Sequence, residues 1–289
     1  MAVFMEEEQN KMKIAVLSGK GGTGKTFVSV NLACTEGNCV YVDCDIEEPN
    51  GHLFFKPQWK GEKSVKVSLP NFDNESCTGC RKCVDFCKFN ALVYIKNKVF
   101  LFDEVCHSCG GCQMVCEADA VGEKPAEVGI VRSGQSKDVK IVSGQLNVGE
   151  MTGTPIIGQM MNEIRDEDKT VIIDCPPGSA CIVMDSIKDA DYCILVAEPT
   201  AFGSHNLEMV YELATLMKKT FGVVLNKCLD GNNPSEKLCH EKGIEIIGKI
   251  PFDSKIGKLN SDGEIISYIS NEYKGYFEEI LSKAKEAIK

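Results

Sequence analysis

Residues 13–19 read KIAVLSG and residues 19–26 read GKGGTGKT. The first is an apolar run closing on glycine, the pattern of a buried parallel strand that feeds a tight loop. After Lys25, TFVSVNLACTEG has helical spacing of its apolar residues and halts at Gly37, and CVYVDCD (39–45) reads as the next buried strand. Strand, glycine loop, helix and strand in this order open a doubly wound α/β sheet. The same rhythm returns late in the chain in VKIVSG, TVIIDCPPG, YCILVAEP, FGVVLNK and IEIIGKIP, most of them separated by helix-length polar or amphipathic stretches. Between about Gln58 and Pro125 the alternation is lost and eight cysteines appear. The organisation predicted is one discontinuous α/β domain, residues 1–57 and 126–289, interrupted by an inserted module over 58–125.

Size and composition agree with this. A chain of 289 residues with 43% hydrophobic residues can bury a full core. A net charge of −10 argues against a general nucleic-acid or anionic-membrane binder. No run of eighteen apolar residues occurs, so no membrane-spanning segment is expected. The leading MAVFMEEEQNKMK carries three glutamates and no apolar h-region, which reads as a frayed lead-in rather than a signal peptide. The expected location is the cytoplasm, where sixteen cysteines would be out of place as disulfides. The last stretch, IISYISNEYKGYFEEILSKAKEAIK, has an apolar stripe at Tyr273, Tyr276, Phe277, Ile280, Leu281, Ala284 and Ile288. With lysines and glutamates in balance, this is expected to pack on the sheet rather than lie on a membrane surface.

The loop fits G-x-x-x-x-G-K-[ST], in which Gly19, Gly21, Gly22, Thr23 and Gly24 let backbone N–H groups turn toward phosphate oxygens. Lys25 is expected to reach the β- and γ-phosphates of ATP and Thr26 to ligate Mg²⁺. Asp174, at the end of TVIIDC, suits a carboxylate holding Mg²⁺ through water, and Asp45 is expected to end the second strand near the γ-phosphate. Asn226 and Lys227 follow FGVVL at the edge where a base could be read. One residue is left over. Lys20 is a second lysine in a loop that needs one.

LSGKGGTGKT with DCDIEEPN, VIIDCPPG and VVLNK resembles the deviant Walker A ATPases of the MinD, ParA and nitrogenase iron protein family, across essentially all of the α/β portion. The resemblance implies a P-loop fold with a mostly parallel sheet and a nucleotide-dependent dimer. It further implies that Lys20 crosses the dimer interface to the partner's nucleotide, as an arginine finger does. By the same resemblance Asp45 orients or activates the attacking water, Asp174 couples Mg²⁺ to a mobile switch, and Asn226 contacts adenine.

CTGCRKCVDFC (77–87) and CHSCGGCQMVC (106–116) are each C-x₂-C-x₂-C-x₃-C, repeated 29 residues apart. That spacing suits 4Fe–4S clusters; a pair of Cys₄ zinc sites would have no use for a third cysteine at the same interval. The insert resembles the small α+β bacterial two-cluster ferredoxin. In that family the fourth cysteine serves the other cluster, which implies one set of Cys77, Cys80, Cys83 and Cys116 and a second of Cys87, Cys106, Cys109 and Cys112. The family usually has proline after each fourth cysteine; here stand Lys88 and Glu117, expected to raise and to lower the potential of a nearby cluster respectively.

Of the other cysteines, Cys34, Cys39, Cys193, Cys228 and Cys239 read as small buried residues, as do Cys44 and Cys175 beside the two aspartates. Cys181 falls seven residues after Asp174, the offset of one bridging-cluster ligand in the nitrogenase iron protein, but no cysteine occurs from Glu117 through Asp174 to complete such a site. The expectation is an ATPase, a homodimer or a heterodimer with a similar ATPase, that couples its cycle to electron transfer or metal–sulfur cluster handling for a partner protein. Two other readings are an iron–sulfur scaffold or carrier and a spatial organiser with structural clusters.

Overall fold

The computed structural model describes residues 11–289, so the expected lead-in falls largely outside the described residues. Chain contacts divide it into two compact units. The first holds the described residues up to Glu62 together with Val131–Gln145 and Ile157–Lys289; the second holds Lys63–Ile130 and Leu146–Ile156.

In the first unit β1 (Lys13–Leu17) feeds the glycine loop and α1 (Lys25–Glu36), which Gly37 ends with φ of 81°, a left-handed turn that glycine adopts without strain. There follow β2 (Val40–Asp43) and the short α2 (Gly51–Phe55). Asp45 therefore lies two residues beyond β2 rather than at its end: the chain leaves the ladder once Cys44 N–H has bonded Asp174 O at 2.9 Å. Next along the chain, β3 (Gln58–Phe72) leads into the second unit, where α3 (Lys82–Phe86), the hairpin β4 (Leu92–Ile95) and β5 (Lys98–Leu101), and α4 (Gly111–Met114) carry the cysteine runs. β6 (Val121–Ser136) returns, and a two-residue turn at Lys137 and Asp138 joins it to β7 (Val139–Leu146).

The α/β alternation then resumes with α5 (Thr154–Glu163), β8 (Val171–Asp174), α6 (Cys181–Ile187), β9 (Tyr192–Ala197) and α7 (Ala201–Leu216). It closes with β10 (Thr220–Cys228), α8 (Pro234–Lys242), β11 (Ile246–Pro251), α9 (Ser254–Ser261) and α10 (Asn271–Glu286). The sheet has nine strands in the order β11-β10-β9-β1-β8-β2-β7-β6-β3, and each neighbouring pair from β11 to β7 is parallel. This is the mostly parallel, doubly wound sheet expected.

Within the 58–125 stretch the chain includes β3 and the start of β6. The first seven residues of β3, QWKGEKS, are all exposed. A strand so poor in buried side chains leaves no apolar signature in sequence.

Strands β1, β2, β8 and β9 are buried on both faces, which is why they read as continuous apolar runs. On one face α1 and α10 pack together: Phe27 meets Phe277 edge-to-face at 5.8 Å, and Ile280, Leu281 and Ala284 of α10 join the same core. The apolar stripe from Tyr273 to Ala284 is thus core, as its spacing predicts, whereas Ile288 lies past the helix and is exposed. Among the described residues no helix is long and apolar enough to cross a membrane.

Candidate functional site

The site in the first unit grows from the register of β1 and β8. Val16 pairs with Asp174, so the glycine loop and the aspartate emerge at the same edge, outside the carboxyl ends of parallel strands. The loop is held by its carbonyls. Ser18 Oγ donates to Lys20 O at 2.9 Å, Lys227 Nζ to Gly22 O at 2.7 Å, and Asn226 Nδ2 to Thr23 O at 2.8 Å. With these carbonyls held by partners outside the loop, an anion can be met by backbone N–H groups and by the start of α1.

Two glycines in the loop are sterically required. A Cβ at Gly19 would stand 2.2 Å from Asn206 O on α7, and one at Gly24, whose φ is 92°, would stand 2.1 Å from Asn226 Nδ2. Asn226, expected at the base, also braces the loop.

Lys25 is buried and donates to Asp174 Oδ1 at 2.6 Å. Burial of the ammonium works against its charge, but the Asp174 carboxylate prevails and raises the lysine pKa. The loop, Thr26, Asp45, Asn226 and Lys227 line a cavity of about 670 Å³. Pro251, Phe252 and α9 line it too, and there Asn260 Oδ1 is buried with no hydrogen-bond partner. A cavity of this size, lined by lysines and loop amides together with apolar and acidic side chains, has the chemistry to take a nucleotide with its metal ion.

Sequence reading missed three residues that stand behind the site and touch its members. Glu198, one residue past β9, forms an ion pair with Lys20, and its other oxygen faces Lys227 at 3.6 Å. Tyr41 donates to Asp174 Oδ2 at 2.9 Å. Asp43 accepts from Gly51 N at 2.9 Å and from Asp45 N at 3.3 Å, and burial followed by the nearby Asp174 pushes its carboxyl up to about 8. Asp43 lies inside the quoted DCDIEEPN run, but the partners of Glu198 and Tyr41 are far away in sequence and are met only through the fold.

In the second unit the cysteine runs flank a small core of Cys83, Leu92 and Val99, against which Cys77, Cys87 and Cys112 pack. Burial pushes the Cys83 thiol up, and the neighbouring sulfurs of Cys77 and Cys116 push it further. Burial likewise raises Cys106, with Cys109 and Cys87 adding to the rise, and Cys112, with Cys106 and Cys109 adding to it. Backbone N–H groups of Val84, Ser108 and Gln113 pull these three thiols back down by favouring thiolate. A cavity of about 70 Å³ is lined by Cys87, Cys106, Cys109 and Cys112 together with Phe86 and Leu101. Among the described residues no three His, Cys, Asp or Glu side chains are gathered tightly enough for a single metal ion. Glu117 forms an ion pair with Lys82, which offsets the negative charge that sequence reading placed beside its cluster.

The remaining cysteines are mostly core. Cys34, Cys39, Cys44, Cys175, Cys193 and Cys239 are buried, Cys228 is half-buried and Cys181 is exposed at the first turn of α6. Burial pushes the Cys34 thiol up to about 12 and raises Cys44 and Cys175 strongly, so these thiols stay protonated.

Comparison with known proteins bears on the same regions. An uncharacterized protein of Methanocaldococcus jannaschii is 31% identical over 284 residues, covering 96% of this chain and 98% of that protein. A Pyrococcus horikoshii protein named iron-sulfur cluster carrier protein is 24% identical, covering 98% and 89%. Among solved structures, the septum site-determining protein MinD from Pyrococcus horikoshii, complexed with Mg-ADP, superposes with a TM-score of 0.57 at 18% identity, covering 94% of this chain and 95% of that one. The MinC:MinD complex of Aquifex aeolicus gives 0.55 at 17% identity, covering 95% and 94%. At these identities the structures speak to the fold alone. A model of the CobQ/CobB/MinD/ParA nucleotide binding domain matches residues 14–266. With the glycine loop, its aspartate and the parallel sheet all inside that span, the chain belongs to the CobQ/CobB/MinD/ParA nucleotide-binding family.

Proposed function

We propose that this protein is an ATPase whose nucleotide cycle, run between two copies, is coupled to electron transfer or metal–sulfur handling for a partner protein in the cytoplasm. The observation that carries the reading is the neighbourhood of the cysteines. Cys83 of the first run feels both Cys77 of its own run and Cys116 of the second, and Cys106 of the second run feels Cys87 of the first. That crossed grouping is the one a two-cluster ferredoxin uses. Sulfurs set around a cavity, rather than drawn to one point, suit a cube whose four irons each take one thiolate. One set would be Cys77, Cys80, Cys83 and Cys116, the other Cys87, Cys106, Cys109 and Cys112. Bound clusters of this kind supply one-electron transfer at potentials set by their surroundings.

In the nucleotide site, Lys25 and the loop amides hold the phosphates and Thr26, with Asp174, holds Mg²⁺. Asp45 orients the attacking water, and Lys20 reaches the nucleotide of a second copy, so hydrolysis depends on dimerisation. Asn226 and Lys227 border the base. The net charge of −10 speaks for a protein partner rather than nucleic acid or an anionic membrane.

The names of relatives and the exposed Cys181 favour a second reading, that of an iron–sulfur carrier. One experiment separates the two. Protein purified without oxygen is assayed for iron and sulfide and titrated by EPR with and without ATP. Two stable clusters whose potential shifts with ATP support coupling. Additional labile iron that leaves with Cys181→Ser supports the carrier, and colourless protein without iron removes both.

A further inference from the structure

Tyr41 lies at the centre of β2 and is fully buried, among the largest side chains of the core. A buried phenol must place its hydroxyl on a partner. Here the partner is Asp174, 133 residues away: Tyr41 donates to Oδ2 at 2.9 Å while Lys25 donates to Oδ1 at 2.6 Å. The parallel register of β2 and β8, Tyr41 with Ile172 and Asp43 with Asp174, brings the hydroxyl to the carboxylate.

The two donors act differently on the aspartate. Lys25 offsets its charge, whereas a neutral phenol fixes its direction and leaves the charge for a cation. A phosphate in the loop competes for Lys25. The other hydrogen-bonding neighbour of the Tyr41 hydroxyl is the neutral Ser29 hydroxyl rather than a phosphate. The tyrosine ring also reaches α2, the helix that follows the loop carrying Asp45. It packs on Phe55 at 4.8 Å between centroids, and a Cβ at Gly51 would stand 2.4 Å from the ring edge and hydroxyl. Gly51 N–H in turn donates to Asp43 Oδ2.

We propose that Tyr41 is a positioning residue of the nucleotide site: it holds the Asp174 carboxylate aligned for Mg²⁺ when Lys25 turns to the phosphates, and ties that carboxylate to α2, which follows the loop bearing Asp45. This rests on the reading of the cavity as an Mg–nucleotide site. Tyr41→Phe keeps the ring, its packing on Phe55 and its contact with Gly51, and removes only the hydroxyl.

The test is the affinity of the anaerobically purified full chain for a fluorescent ATP analogue, measured with Mg²⁺ and with EDTA. Wild-type protein is expected to bind more tightly with Mg²⁺. In Tyr41→Phe that enhancement falls by about tenfold, the size of one hydrogen bond to a charged group, while affinity in EDTA stays within about twofold of wild type. Gly51→Ala, which displaces the same ring and keeps the hydroxyl, lowers the enhancement in the same direction and serves if Tyr41→Phe does not fold. An unchanged enhancement, or an equal loss with and without Mg²⁺, overturns the assignment of Tyr41. Wild-type protein that binds the analogue in neither condition overturns the site reading itself and the tyrosine's role with it.

Discussion

Lys20 is ion-paired with Glu198, and its ammonium stands 4.8 Å from the centroid of the Phe202 ring. Both partners belong to its own chain, on the segment that leads from β9 into α7. The carboxylate is largely shielded, with 14% of its side chain exposed, and it faces Lys227 as well, so one anion gathers the two lysines that border the loop. Glu198 and Phe202 thus hold the Lys20 side chain within its own chain.

For Lys20→Ala we predict unchanged ATP affinity and hydrolysis slower by at least about a hundredfold, since charge supplied in trans to a phosphoryl group is worth this much or more. Wild-type turnover per chain should rise with protein concentration, and that of the variant should not. A steady-state phosphate assay across a dilution series reads both.

Gly24→Ala meets two obstacles at once. Its φ of 92° is strained for any side chain, and the added Cβ would stand 2.1 Å from Asn226 Nδ2, which donates to Thr23 O. The loop must shift and lose that brace. We expect ATP affinity to fall by more than about tenfold while the circular-dichroism spectrum stays that of wild type, because the strain is local and the sheet is untouched.

For the crossed cysteine sets proposed above, a double variant is decisive. Cys80→Ser with Cys116→Ser removes two ligands of one cluster under crossed pairing, and iron should fall from about eight to about four per chain. Pairing within each run would damage both clusters and leave little iron. Iron analysis with EPR of the reduced protein distinguishes the two.

Asp43 gives a pH dependence with a definite sign. Its folded-state pKa is raised to about 8 from an ordinary 3.8, by burial first and by Asp174 second. Between those values the folded protein holds a proton that the unfolded chain has lost, so stability falls as pH rises from about 4 to about 8 and levels off above. Thermal unfolding of nucleotide-free, Mg²⁺-free protein should show a Tm that declines across this window. Asp43→Asn should flatten the decline, and a wild-type Tm that rises with pH there would contradict the raised value.

How much of this was legible in the chain follows from the range of the interactions involved. The loop, α1, β2 and the strands from β7 to β11 were visible because their signals are local: glycines at fixed offsets, short runs of branched residues, and an apolar stripe in α10 that meets the core through Phe277. The cysteine spacings were visible for the same reason. β3 was not, since its outer half buries almost nothing and so carries no periodic mark.

Residue order alone established which chemical groups this protein has: a glycine loop with two lysines, aspartates at or near strand ends, and eight cysteines in two equal runs. Only the folded chain decided how those groups are partnered. Glu198 meets Lys20 from 178 residues away, Tyr41 meets Asp174 from 133, and Asn226 braces Thr23 from 203. Each pairing depends on strand order and register in a parallel sheet, a property of the whole fold that no short window of sequence contains.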